Sequence, residues 1–226
     1  MDWDERTEAS HYAESLSWAS KFNDVRGARI AGWVSTFRHN LPSEIVGDHC
    51  GSSNWSCKVR FEDGTQWMVR FAVPGRVMNG DEKVSHEVAT MQFVKEQTNI
   101  PVPSIIAWGV SHENPLGLGP FIIMEIIEGE PLNTILQQHQ EAGEIRILRP
   151  DISDGELTVI YRQIANILLE LSAHDFSRIG SLSKASDTGD CVRSRPLTLK
   201  MNEIESHGGV CIGSMLILSF VFCCGS

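Results

Sequence analysis

Two charged side chains sit where the pattern around them is apolar. Arg70 falls in "CKVRFEDGTQWMVRF" (Cys57 to Phe71), two short alternating stretches joined by Asp63-Gly64. Asp-Gly between such stretches predicts a tight hairpin turn. On the return strand Trp67, Val69 and Phe71 point one way, and Met68, Arg70 and Ala72 the other. Glu87 falls in a helical pattern from Asp81 to about Gln97, with Val84, Val88, Met91 and Val94 on its apolar face. Each residue advances about 100° on the wheel, which puts Glu87 between Met91 and Val94. A carboxylate there has two options, because an unpaired buried charge is expensive. It pairs with a cation, and Arg70 on the neighbouring strand is the simplest partner. Or it lies at the stripe's edge and reaches water.

The elements that must position these groups follow from periodicity and turn signals. Residues 1–23 read as a loosely ordered lead-in. Ile30, Trp33, Val34 and Phe37 recur at helical spacing, as a packing face, until "NLP" ends the segment. "SEIVGDHCGSSNWS" is a Gly/Ser-rich turn between two strands, and the hairpin follows it. After the loop "VPGRVMNG" and the Glu87 helix, "TNIPVPSIIAWGV" gives a proline-bounded loop and a short strand. "NPLGLGP" is a turn, and "FIIMEII" (Phe121 to Ile127) suits a strand buried on both faces. "EGEPLNTILQQ" opens a helix with Pro131 in its first turn. A longer helix spans about 154–173. Ser153 and Glu156 fit a capping box, and Leu157, Ile160, Tyr161, Ile164, Leu168 and Leu171 form its stripe. No repeats occur.

Composition bounds the function classes. The chain has 226 residues and is 42% hydrophobic, enough for one large domain or two small lobes with a sizeable core. A net charge of −10 argues against nucleic acid or an anionic membrane surface as a general partner. The six cysteines form no C-x-x-C and no zinc spacing with histidine. "MDWDERTEASHY" lacks an apolar h-region, and its acids speak against a mitochondrial address, so reduced thiols in the cytoplasm are expected.

The order of elements is that of a protein-kinase small lobe, and a longer match makes the likeness specific. "VRFEDGTQWMVRFAVPGRVMNGDEKVSHEVATMQFVKEQTNIPVPSIIAWG", followed by "NPLGLGPFIIMEIIEGEPL", resembles the fungal branch of the aminoglycoside-phosphotransferase-like family, from about Ile45 to Leu182. The resemblance implies an α+β fold: an antiparallel five-stranded sheet with a helix, then an incomplete helical large lobe. It divides the chain into an N-terminal extension with a helix (1–44), a nucleotide-binding lobe (45–128), the start of a large lobe (129–182), and a loop with an apolar tail outside the family pattern (183–226).

The site residues it implies are these. Gly51, Ser52, Ser53 and Asn54 form a turn covering phosphate with backbone N–H groups. Arg70 takes the place of the strand lysine that meets the α- and β-phosphates; a guanidinium can fork between phosphate and carboxylate, but it is no equal of lysine. Glu87 orients Arg70. Met124 stands at the back of an adenine pocket, and Glu125, Ile126 and Ile127 form the segment whose backbone reads the adenine edge. Val59 is a pocket wall; Ile106 is a wall or simply core. The implied cofactor is ATP, with Mg²⁺ for the family, and the implied partners are a nucleotide and a small-molecule hydroxyl acceptor.

Catalytic and metal residues are missing from this pattern. Phosphoryl transfer needs an aspartate near the acceptor and carboxylates on the metal. His174-Asp175 is adjacent rather than spaced and reads as a helix C-terminus. Asp187 and Asp190 lie in a polar loop with no strand before them. The expectation is an ATP-dependent phosphotransferase relative, catalytically incomplete in this chain. The alternatives are a non-catalytic nucleotide-binding regulatory module or a truncated, non-functional product. "RPLTLKMNEIESHGG" still resembles the family; "VCIGSMLILSFVFCCGS" does not. That run is about 15 residues, short of the roughly 20 that span a bilayer, and lacks flanking basic clusters. It reads as the mark of a truncated gene product, with membrane association through the tail as the other option.

Overall fold

A computed structural model describes residues 3–77, 79–138, 147–176, 180–183 and 192–194. In chain order the elements are α1 (Trp3–Val25), α2 (Ala28–Ser35), β1 (Ser43–Cys50), β2 (Asn54–Phe61), β3 (Gln66–Ala72), α3 (Gly80–Gln97), β4 (Ile105–Gly109), β5 (Phe121–Glu125), α4 (Leu132–Leu136), α5 (Asp154–Ser172), β6 (Ser181–Ser183) and β7 (Val192–Ser194). Asp187, Asp190 and the apolar tail lie outside the described residues. Among those described, no helix is long and apolar enough to cross a membrane.

The hairpin closes as its residues dictate. Gly64 adopts a φ of +84°, a region open to glycine at little cost. Its N–H donates to Phe61 O at 2.9 Å, and Asp63 Oδ1 accepts from the Thr65 N–H at 3.0 Å. The turn sets the register Trp67↔Val59, Val69↔Cys57 and Arg70↔Ser56. β1 to β5 form one antiparallel sheet in the order β1-β2-β3-β5-β4, so β3 is the middle strand. The expected α+β class, with a five-stranded antiparallel sheet and a helix on it, holds.

Alternation along the strands divides the sheet into two faces, and each has its own helical cover. On one face Cys57, Val59, Phe61, Trp67, Val69, Phe71, Phe121 and Ile123 pack with Trp18, Phe22 and Val25 of α1 and Ile30 and Val34 of α2. On the other, Ala72, Ile122 and Met124 pack with Val84 and Val88 of α3, with Met68, Met91, Ile105 and Trp108 around them. β5 is buried on both faces, as its unbroken apolar run requires.

The N-terminal lead-in is a correction. It is ordered, and α1 is part of the main core. Its buried positions, Ser15, Trp18, Phe22 and Val25, recur at helical spacing in an otherwise polar helix. Two large residues, Trp18 and Phe22, hold it down. Trp18 and Phe22 stack with ring centroids 5.4 Å apart, Phe22 meets Trp55 at 4.7 Å, and buried Trp18 Nε1 donates to Leu118 O at 2.8 Å. Each buried aromatic is worth a few kcal/mol of burial, about 1.5–3 for a Phe-sized side chain, which outweighs the weak amphipathicity. The backbones of α1 and the 73–77 loop also meet closely: a Cβ on Gly75, whose φ is +76°, would collide with the His11 carbonyl.

The C-terminal helices differ in another way. α4 is a single short helix with Pro131 at its N-cap rather than inside its first turn. α5 starts on the expected capping box: the Glu156 N–H donates to Ser153 Oγ at 3.2 Å and the Ser153 N–H to Glu156 Oε2 at 2.9 Å. Yet none of its residues is buried, and Val159, Tyr161, Leu168 and Leu169 are exposed.

Candidate functional site

The site lies on the α3 face of the sheet. In β3 the side chains of Met68, Arg70 and Ala72 point to that face, and register sets Arg70 opposite Ser56 of β2 and Ile122 of β5. Being the middle strand, β3 is held by ladders on both sides, so the base of Arg70 has little freedom. α3 begins after Asn79, which adopts a left-handed φ of 43°. Asp81 Oδ1 accepts from the Ser111 N–H at 2.7 Å, and a Cβ on Gly80 would already press Pro120 Cγ at 3.2 Å. These contacts fix where α3 starts, and hence which residues look down on Arg70.

Glu87 does. Its side chain is 8% exposed and that of Arg70 17%; Arg70 Nη1 donates to Glu87 Oε1 at 2.8 Å. Of the two outcomes open to Glu87, pairing wins, because α3 packs too closely for the carboxylate to reach water. A second cation shares it. Lys83, one helical turn earlier, donates to Glu87 Oε2 at 2.9 Å and to Asn54 Oδ1 at 3.3 Å. Burial pushes the Glu87 carboxyl up, but Arg70 and then Lys83 more than offset this and hold it below its ordinary value.

Asn54 carries the network to the turn that precedes it. The Gly51 N–H closes that turn on Asn54 O at 2.8 Å, and Ser53 O accepts from the Val73 N–H at 3.1 Å. Arg76 grips it from outside, with Nη1 at 2.8 Å from Gly51 O and 3.0 Å from Cys50 Sγ. The N–H groups of Ser52 and Ser53 find no acceptor among the described residues. The arrangement is a run of contacts from the turn through Asn54, Lys83 and Glu87 to Arg70. Two cations converge on one carboxylate.

The other residues singled out in the sequence scatter. Met124 is on the right face, but buried under α3 at 5% exposure. Val59 is on the opposite face, fully buried against α1 and α2, because it is an odd number of residues from Ser56, the residue facing Arg70. Ile106 is exposed, and its neighbour Ile105 packs toward α3 instead. Glu125 ends β5 with an exposed side chain. Its Oε2 accepts from the Ser104 N–H at 2.9 Å, and Ser104 holds the carboxyl below its ordinary value. Ile127 lies beyond the strand and is 61% exposed. His174 follows the end of α5, its ring 5.2 Å from that of Phe93, in a helix-terminal place.

Lys83 and Arg76 escaped the sequence reading. Lys83 carried a usable signal: it sits at i to the i+4 of Glu87, the spacing at which helical side chains meet. Arg76 carried none, since its contacts come from a turn 25 residues earlier. Among the described residues no three His, Cys, Asp or Glu side chains converge as metal ligands.

No protein-family model matches the chain. It is 34% identical over 145 residues to altered inheritance of mitochondria protein 9, mitochondrial, of Debaryomyces hansenii; the match covers 63% of this chain and 22% of that one. The protein of the same name from Candida glabrata is 28% identical over 155 residues, covering 64% of this chain and 24% of its own. A subtelomeric hrmA-associated cluster protein of Aspergillus fumigatus is 44% identical over 48 residues, 21% of this chain and 9% of its own. The chain thus spans about a quarter or less of the length of these relatives.

These findings correct three expectations. The relatives bear the name of a mitochondrial inheritance protein, so the assignment to the aminoglycoside-phosphotransferase-like family is overturned. The phosphotransferase function that came with it falls too, and with it the incomplete or regulatory kinase descended from one. The cytoplasmic location is overturned because the relatives are mitochondrial by name. What survives is the local geometry, which owes nothing to descent.

Proposed function

We propose that this domain binds a phosphate-bearing small molecule, with ATP as the ligand to test first, and that it belongs to a mitochondrial protein. One observation carries the reading. Arg70 and Lys83 bring two cationic side chains together on Glu87, partly out of water, in a chain of net charge −10. Paired cations that are partly desolvated attract an anion more strongly than a solvated surface lysine does, because water screens them less. The neighbouring turn adds backbone donors at Ser52 and Ser53, the kind of concavity that cradles phosphate oxygens. The reading assigns binding and no reaction. The mitochondrial placement is supported by the names of the relatives.

Calorimetric titration of the full chain with ATP tests the binding. Saturable binding at millimolar ATP or below is expected, with Arg70→Gln weakening it about tenfold or more, the scale of a charge-assisted hydrogen bond. Folded protein that takes up no ATP at millimolar concentration refutes the reading. Subcellular fractionation of the tagged chain in a yeast checks location; recovery only outside mitochondria would refute that part.

A further inference from the structure

We infer that a cavity between α3 and β4 binds a planar, uncharged two-ring heteroaromatic molecule, at a place separate from the Arg70 and Lys83 contacts. The cavity has a volume of about 320 Å³. Asp81, Ser85, Val88, Ala89 and Gln92 of α3 line it together with Trp108 of β4. Ser85, Ala89 and Gln92 are spaced i, i+4, i+7 and share one face of the helix. At about 100° per residue, that face lies roughly opposite Lys83 and Glu87 on the wheel. The cavity therefore sits on the flank of α3 toward β4, an edge strand of the sheet.

Size, walls and polar groups together define the occupant. A cavity of about 150 Å³ holds one benzene, so about twice that volume suits two fused rings. Val88 is buried, and Trp108 packs on the same cluster, with register setting it against Ile122 of β5. The indole of Trp108 is thus a supported wall on which a flat ring stacks, and the small side chain of Ala89 leaves room beside it. Among the described residues the Gln92 amide has no hydrogen-bond partner. It can donate to a ring nitrogen or accept from a ring N–H. Ser85 has spent its proton on Asp81 O at 2.9 Å and keeps a lone pair for a second ligand donor. The described lining holds no Lys or Arg, so a phosphate or carboxylate finds no fixed cation here.

Titration of the full chain with indole, followed by nuclear magnetic resonance of backbone amides and of the Trp108 indole N–H, tests this. Saturable binding at millimolar concentration or below is expected, with shifts concentrated along α3 from Ser85 to Gln92 and at Trp108. Ala89→Leu keeps a good helix former but fills the cavity, and should weaken binding about tenfold or more. Gln92→Leu removes one hydrogen bond and should weaken it about two- to tenfold. A wild type without saturable binding overturns the inference. So does binding that Ala89→Leu leaves intact, or binding whose shifts fall away from α3 and β4. If Ala89→Leu fails to fold, Gln92→Leu decides: weaker binding supports the inference and unchanged binding overturns it.

Discussion

Removing the carboxylate of Glu87 isolates the contact on which the site depends. In Glu87→Ala, Arg70 and Lys83 lose their common acceptor, and two like charges are left facing each other at a packed interface. Breaking a fully buried pair costs about 3–5 kcal/mol. Here Arg70 and Lys83 keep 17% and 26% of their side chains exposed, so water recovers part of that cost. We expect a loss of about 2–3 kcal/mol, and a smaller one, about 1 kcal/mol, for Glu87→Gln, which keeps an acceptor oxygen. Urea unfolding followed by tryptophan fluorescence reads both, at equal slope of free energy against denaturant. The pH dependence gives a second check. The carboxyl of Glu87 lies below its ordinary value of 4.5 in the folded chain. Its contribution is therefore whole above that value and is lost as pH falls through the lowered one. Glu87→Gln should flatten that part of the acid limb. A Glu87→Ala protein within about 0.5 kcal/mol of wild type, the range of an ordinary surface change, with an unchanged acid limb, would refute the argument that this carboxylate is locked between two cations.

Trp18→Ala should cost about 3–5 kcal/mol, since it removes a buried ring and the bond to Leu118 O; a Trp18 variant as stable as wild type would show that α1 is not part of the core. Gly75→Ala should destabilise by more than about 1 kcal/mol in the same unfolding assay, because the new Cβ meets the His11 carbonyl at a φ of +76°. Of the two cysteines among the described residues, half-buried Cys50 should react with a thiol reagent in the folded chain and Cys57 only after unfolding, read by peptide mass mapping. Burial, aided by Asp48 and opposed by Arg26, pushes the Cys57 thiol up to about 12.

Period and turn chemistry were enough for each element whose signal is local. The Asp63-Gly64 hairpin, the two-sided burial of β5, the capping box of α5 and the inward placement of Glu87 all depend on neighbours a few residues away. These were legible in the chain itself. Which face of the sheet meets which helix was not. Val59 alternates correctly along its strand, yet it points away from Arg70 because pairing with β3 assigns the faces. Among its described side chains α1 buries three large apolar residues, Trp18, Phe22 and Val25, in a polar helix, and they matter because Trp55, Phe71 and Leu118 come from distant segments to receive them. Lys83 and Arg76 became part of the site only when a turn from earlier in the chain arrived beside them. A sequence constrains each element through short-range sterics and periodic burial. Joint properties, such as a carboxylate shared by two cations, exist only after long-range packing has brought the elements together.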